Sequence, residues 1–232
     1  MYKRILLKLS GEVLSGETKK GFTEEHVQHL IKEIKQISEY GTKLGIVIGA
    51  GNLFRGRDFD SITPTISDQI GMLGTVINAL YLKARFEEAG IRTVIVSQIV
   101  TLPSVKFINY DDIDLYFDAG YVVIFAGGTS NPFFTTDTGA ALRAVEMKAD
   151  LLIKGTKVSG IYDKDPKLFN DAKKFSVITY DEAIEKDLKI MDTEAFSICK
   201  RYKMKILVMN FFEDGNLQRA IKGENVGTLV VP

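Results

Sequence analysis

Cysteine is almost absent. Cys199 stands alone among 232 residues, so no intramolecular disulfide can form, and a four-ligand zinc site is not favoured. Histidine is nearly as scarce. His26 and His29 lie three apart on one predicted helix, and no further histidine completes a metal site around them, so they read as surface or interface residues. Excess charge of either sign is missing, since thirty Lys and Arg balance thirty Asp and Glu. That speaks against a dedicated nucleic-acid or membrane-surface binder, although a small anion needs only a few local cations. No stretch approaches the roughly 20 apolar residues of a bilayer span. The apolar run Ile5-Leu6-Leu7 ends at Lys8, too short for a signal-peptide core. With no Asn-x-Ser/Thr acceptor and no low-complexity tract, a compact, soluble, cytoplasmic protein is expected.

What is present is alternation. Apolar strand-like runs fall at Arg4–Leu9, Leu44–Ile48, Arg92–Ser97, Tyr121–Phe125 and Asp150–Ile153. Between them lie helical patterns at Thr23–Tyr40, Ser67–Ala89, Asp111–Ala119 and Asp137–Lys148. In the first, Thr23 suits a cap, Glu24 and Glu25 suit the positive end, and Val27, Leu30, Ile31, Ile34 and Ile37 share a face. The second carries Ile70, Leu73, Ile77, Leu80 and Tyr81, which fit either core or a subunit interface. The last third is less regular. A strand or hairpin edge at Lys157–Tyr162 and a loop to Phe175 lead to helices at Tyr180–Asp187 and Thr193–Tyr202. A strand at Lys205–Met209, a helix at Asn216–Lys222 and a strand at Thr228–Val231 follow. This is repeated βαβ grammar, and it predicts an α/β fold: a three-layer α/β/α sandwich with a mainly parallel central sheet. Without linker or repeat, the chain reads as one domain, 1–232, with two lobes, about 1–150 and 151–232.

Open parallel sheets bind ligands at the carboxyl ends of their strands. Four such ends join glycines to a cation or a hydroxyl: Lys8-Leu9-Ser10-Gly11, Gly49-Ala50-Gly51 through Arg55-Gly56, Gly127-Gly128-Thr129 through Asp137, and Lys154-Gly155-Thr156. Glycines let backbone N–H groups approach an anion. Two familiar signatures fail. Gly16 to Thr23 has P-loop glycine spacing, but Phe22 stands where the lysine belongs. Gly49-x-Gly51 has Phe54 in place of the third dinucleotide glycine. Lys8 and Lys154 each end an apolar strand, where a lysine is costly unless it meets an anion. A shared phosphate chain is the expectation.

With these loops placed, the chain resembles the bacterial UMP kinases of the amino-acid-kinase superfamily. The match runs from Tyr2-Lys3-Arg4 to Gly227-Thr228-Leu229. Its most specific piece is Asn131-Pro132-Phe133-Phe134-Thr135-Thr136-Asp137, supported by Gly51-Asn52-Leu53-Phe54-Arg55-Gly56 and by Lys157-Val158-x-Gly160-Ile161-Tyr162 with Asp165-Pro166. The resemblance implies that Lys8, Leu9, Ser10, Gly11, Gly51 and Arg55 contact ATP phosphates, and that Thr156, Tyr162 and Asp165 line its nucleoside. It implies UMP contacts from Ala50, Asp68, Thr129, Ser130, Asn131, Pro132, Phe133, Phe134, Thr135 and Thr136. Lys8, Lys154, Asp137 and Arg55 would be the catalytic set, with Asp137 orienting both lysines. Lobe 1–150 would then hold UMP and lobe 151–232 the ATP nucleoside. Mg²⁺ would arrive with ATP, and no protein-held metal is implied. Family members are hexamers activated by GTP and inhibited by UTP. Here the corresponding segment Gly16–Gly21 differs in composition, and Ala50, Ser130 and Ser159 depart from the usual residues.

The acceptor would be a phosphate, largely dianionic because its second pKa is near 6, so no general base is needed. In-line transfer from ATP to UMP, a step in pyrimidine nucleotide biosynthesis, is the expected reaction. Two other readings stay open: a kinase for a small carboxylate or carbamate on the same fold, and a nucleotide-binding module without catalysis.

Overall fold

The computed structural model describes residues 1–18, 20–58, 61–166 and 168–232. Among these residues nine strands form one sheet, in the order β4-β3-β5-β2-β1-β6-β8-β9-β7. They are β1 Arg4–Leu9, β2 Lys43–Ile48, β3 Thr93–Ser97, β4 Val105–Phe107, β5 Val122–Ala126, β6 Leu151–Thr156, β7 Val177–Thr179, β8 Ile206–Asn210 and β9 Gly227–Val231. The β8–β9 ladder is antiparallel and the others are parallel, so the expected mainly parallel sheet is borne out.

Among the described residues seven α-helices cover its two faces: α1 Glu24–Ser38, α2 Pro64–Glu88, α3 Tyr110–Asp118, α4 Thr136–Glu146, α5 Tyr180–Glu185, α6 Thr193–Arg201 and α7 Asn216–Ile221. Strand period decides which side chain meets which layer. Ile5, Leu7 and Leu9 point into a core shared with α1, α2 and α7. Leu6 points into the opposite core, shared with α3, α4, α5 and α6. Lys8 lies on that second face, and this is what brings it under α4.

Two expected boundaries moved for identifiable reasons. Helix α2 starts three residues before Ser67, because Pro64 occupies its first turn, where a missing N–H costs nothing. Lys157–Tyr162 forms no strand. It bends, with Gly160 at φ +147° packed so that a Cβ would meet Thr228 Oγ1, and only Tyr162 bridges to Lys174. Thr23 has the extended cap conformation, yet its hydroxyl faces the Leu14 carbonyl and the His26 ring rather than a backbone N–H of the helix. Strands β4 and β7 are absent from the sequence reading, and they are the two edges of the sheet. Among the described residues no helix is long and apolar enough to cross a membrane.

Candidate active site

Parallel pairing sets β1 directly beside β6, with Lys8 opposite Lys154 in register. Residues opposite each other in a ladder share a face, so both ammonium groups rise toward the start of α4. Asp137 waits there in the first turn, its backbone N–H accepted by Thr135 Oγ1, which caps the helix. Thr135 takes the capping role and leaves the Asp137 carboxylate to the lysines. Lys8 Nζ stands 2.5 Å from Asp137 Oδ1, and Lys154 Nζ donates to Oδ2 at 2.7 Å. Lys154 also donates to the Ile190 carbonyl at 2.7 Å.

This trio is largely shielded from water, with side-chain exposures of 11%, 19% and 12% for Lys8, Lys154 and Asp137. Burial alone would push the Asp137 carboxyl up, but the charges of Lys8 and Lys154 outweigh it and hold it below the ordinary carboxylate range. Burial lowers the Lys154 ammonium, with Lys8 adding to the effect and Asp137 opposing it. One carboxylate between two cations leaves the trio itself net positive, which attracts an entering anion.

Two cavities flank the trio. One, of about 310 Å³, is lined by Ala50, Asp68, Thr129, Phe134, Thr135 and Thr136 among others. Asp68 enters from the second turn of α2, and its Oδ2 accepts the Phe133 N–H at 2.7 Å. The second, of about 620 Å³, is lined by Lys154, Thr156, Tyr162 and Asp165. There Ser159 Oγ lies 2.8 Å from Tyr162 OH. Both volumes are of ligand size. Lys8, Glu12, Gly51 and Arg55 border the cleft that adjoins the first cavity. Gly11 is packed so closely that a Cβ would come within 2.7 Å of the Gly49 carbonyl, so these two turns require glycine to approach.

Some expected residues lie elsewhere. The Leu9 side chain is fully buried in the core, and its carbonyl accepts from Gly49. Ser130, Asn131, Pro132 and Phe133 are outside the lining of the first cavity. Ser130 and Phe133 have left-handed backbones, φ +66° and +71°, and Phe133 is 73% exposed. Ala50 keeps a negative φ, as its replacement of a glycine requires. Arg55 is turned toward Glu12, donating to Oε1 at 2.6 Å and to the Gly51 carbonyl at 3.0 Å. The two histidines share no ligand set: His26 faces Thr23 Oγ1, and His29 faces the Phe211 carbonyl and Asp214. Within Gly16–Gly21, Lys19 lies outside the described residues.

Sequence reasoning missed three contributors. Glu12 holds Arg55. Asp192, capping α6, accepts from Thr135 Oγ1 and from Thr138 Oγ1 at 2.9 Å, so it ties the start of α4 to the last third of the chain. Asn78, fully buried on α2, donates to the Gly49 carbonyl and to Asn52 Oδ1, each at 2.8 Å. An asparagine inside an apolar helical stripe was the available signal, because a buried amide must have partners.

Such a site, with paired lysines on one carboxylate at the strand ends and ligand-sized cavities on either side, defines a phosphotransferase of the α/β sandwich class. The model of the amino acid kinase family matches residues 3–210, and the chain belongs to that family. A curated uridylate kinase of Fervidobacterium nodosum is 88% identical over 100% of this chain and 99% of its own. One from Thermotoga maritima is 56% identical over 99% of each. The crystal structure of UMP kinase from Bacillus anthracis superimposes with a TM-score of 0.96 at 34% identity, covering 99% of this chain and 96% of that one. That of Ureaplasma parvum gives 0.94 at 29%, covering both chains fully. The resemblance read from the Asn131–Asp137 motif and its companions is borne out, and the chain is a kinase.

Proposed function

We propose that the chain transfers the γ-phosphoryl group of MgATP directly to UMP, forming UDP for pyrimidine nucleotide biosynthesis. The observation that carries this is the Lys8–Asp137–Lys154 trio beside two cavities, each with residues suited to one nucleotide. In this reading the cavity at Ala50, Asp68 and the 129–136 loop receives UMP, with Asp68 taking ribose hydroxyls. The cavity at Thr156, Tyr162 and Asp165 receives the ATP nucleoside. Lobe 1–150 is thus the acceptor side and lobe 151–232 the donor side. Backbone N–H groups of Ser10, Gly11 and Gly51, with Arg55, meet the phosphates.

The acceptor phosphate is its own nucleophile, so the protein supplies alignment and charge neutralisation rather than a base. Lys8 and Lys154 stabilise the charge spread over the transferred group, while Asp137 fixes where they point. Mg²⁺ enters as part of the nucleotide substrate. The donor set fits that role: Asp137 faces two lysines, Glu12 faces Arg55 and Asp68 accepts a backbone N–H, so phosphate oxygens and water are its natural ligands. A homohexameric, cytoplasmic enzyme responding to GTP and UTP belongs to the same proposal. Exposed Ile66, Leu73 and Ile77 along α2, at 48%, 49% and 53%, favour burial of that stripe in an assembly.

The test is ADP release with a panel of acceptors: UMP, CMP, dUMP, aspartate and acetylglutamate. UMP gives the highest kcat/KM if the reading is right. Turnover with a carboxylate acceptor but none with UMP would overturn it.

A further inference from the structure

Ser130 holds its left-handed backbone without a glycine's freedom, and such a conformation persists where the surroundings over-determine it. The surroundings in this case are a closed polar network reaching Ser130 from behind the acceptor loop. Arg143 NH2, on α4, lies 3.0 Å from the Gln98 side chain. A guanidinium only donates, so the facing atom is the amide oxygen. Gln98 Nε2 therefore donates to Tyr110 OH at 2.9 Å. Ser130 Oγ, 3.2 Å from Gln98 Oε1, is left to act as donor.

The remaining members lock this orientation. Tyr110 OH accepts from Arg143 NH1 at 2.8 Å and donates to Glu146 Oε1 at 3.0 Å. Glu146 Oε2 meets Arg143 NH1 at 2.5 Å and balances its charge. Arg143 is only 4% exposed, so it is a fixed anchor rather than a surface charge. None of Gln98, Tyr110, Arg143 and Glu146 lines the acceptor cavity. The Ser130 hydroxyl also lies against the carbonyl of Thr129, closer than it lies to Gln98, so its one proton is shared between the loop's own carbonyl and the Gln98 anchor. Thr129 Oγ1 in turn accepts the Asn131 N–H at 3.2 Å. A change at Ser130 is therefore felt along the turn that carries Thr129, itself a cavity residue.

We infer that Gln98 is a positioning residue for the acceptor nucleotide: anchored by Arg143 and Tyr110, it holds Ser130 in its left-handed conformation and so shapes the 129–136 loop. This rests on the assignment of that loop to UMP. In this chain a hydrogen bond from outside the loop does what the freedom of a glycine would do at that position.

The test is steady-state kinetics on Gln98→Met, Ser130→Gly and the double variant. Methionine keeps the length of glutamine and removes the acceptor. Gln98→Met is expected to raise KM for UMP about fivefold, the size of one lost hydrogen bond, with kcat and KM for ATP within about twofold. In the Ser130→Gly background the same change is expected to alter KM for UMP by less than about twofold, because glycine holds the turn unaided. An unchanged KM for UMP in Gln98→Met, or an equal rise in the glycine background, overturns the inference. The loop assignment fails separately, if Asp68→Asn and Phe134→Ala leave KM for UMP unchanged while ATP binding persists.

Discussion

Replacing Asp137 with asparagine isolates the electrostatics of the site. The substitution keeps shape and removes the one negative charge between Lys8 and Lys154, whose ammonium groups lie 2.5 and 2.7 Å from its oxygens. Two ammonium groups about 5 Å apart in an effective dielectric of about 20 repel by about 3 kcal/mol. Losing one partner of a buried ion pair costs about as much in measured cases. For a domain of this length each kcal/mol moves Tm by about 2–4 °C, so a drop of about 6–12 °C is expected at pH 7. The sign with pH follows from the lowered Asp137 carboxyl. In the wild type its stabilisation is complete above the ordinary carboxylate range. It is lost as pH falls through the lowered folded-state value, a loss the asparagine variant does not have. Bound MgATP places phosphate charge against the same lysines, so it should raise Tm more in the variant than in the wild type. Calorimetry with and without nucleotide reads both effects. A variant within about 2 °C of wild type, with the same increment on adding MgATP, would refute the electrostatic account.

Lys154→Ala should fold and lose about 10²–10³ in kcat, the scale for removing one donor to developing charge; a coupled ADP assay measures it. In Asp137→Asn the fall of kcat at alkaline pH should move to lower pH. Burial already lowers Lys154 and Asp137 is what opposes it, so a pH–rate profile with an unmoved alkaline limb would contradict this. Asp68→Asn should raise KM for UMP roughly ten- to hundredfold, as befits a charge-assisted hydrogen bond, with KM for ATP little changed. Asn78→Ala orphans the Gly49 carbonyl and Asn52 Oδ1. It should cost about 2 kcal/mol, or about 4–8 °C in Tm, read by thermal melting.

Much of this architecture was legible because it is local. β1, β2 and β5 are nearly continuous apolar runs, as strands covered on both faces must be, and the α1 stripe repeats every three to four residues. The edges were not legible. β4 and β7 are three residues long and exist through pairing with β3 and β9, which no local pattern encodes. Lys8 and Lys154 stood out because a cation ending an apolar strand needs an anion. Asp137 as their common partner came from the family resemblance and not from any local pattern, because the pairing depends on the register that sets β1 beside β6. Asp192 and Glu12 were hidden for a similar reason. Each acts on a residue more than 40 positions away, and each looks in sequence like an ordinary acidic residue, one after a glycine turn and one before a helix. Cys199 carried the opposite lesson. Its thiol is buried and pushed up to about 12 by that burial, so it packs as an inert apolar group.

Direct transfer between two nucleotides, with the lysines neutralising charge and no residue taking the phosphoryl group, is open to one decisive measurement. ATP made chiral at the γ-phosphorus by oxygen isotopes is turned over with UMP, and the configuration at the transferred phosphorus of UDP is determined. A single in-line displacement predicts inversion. Retention would mean two displacements through a phosphorylated protein group, and it would contradict the account.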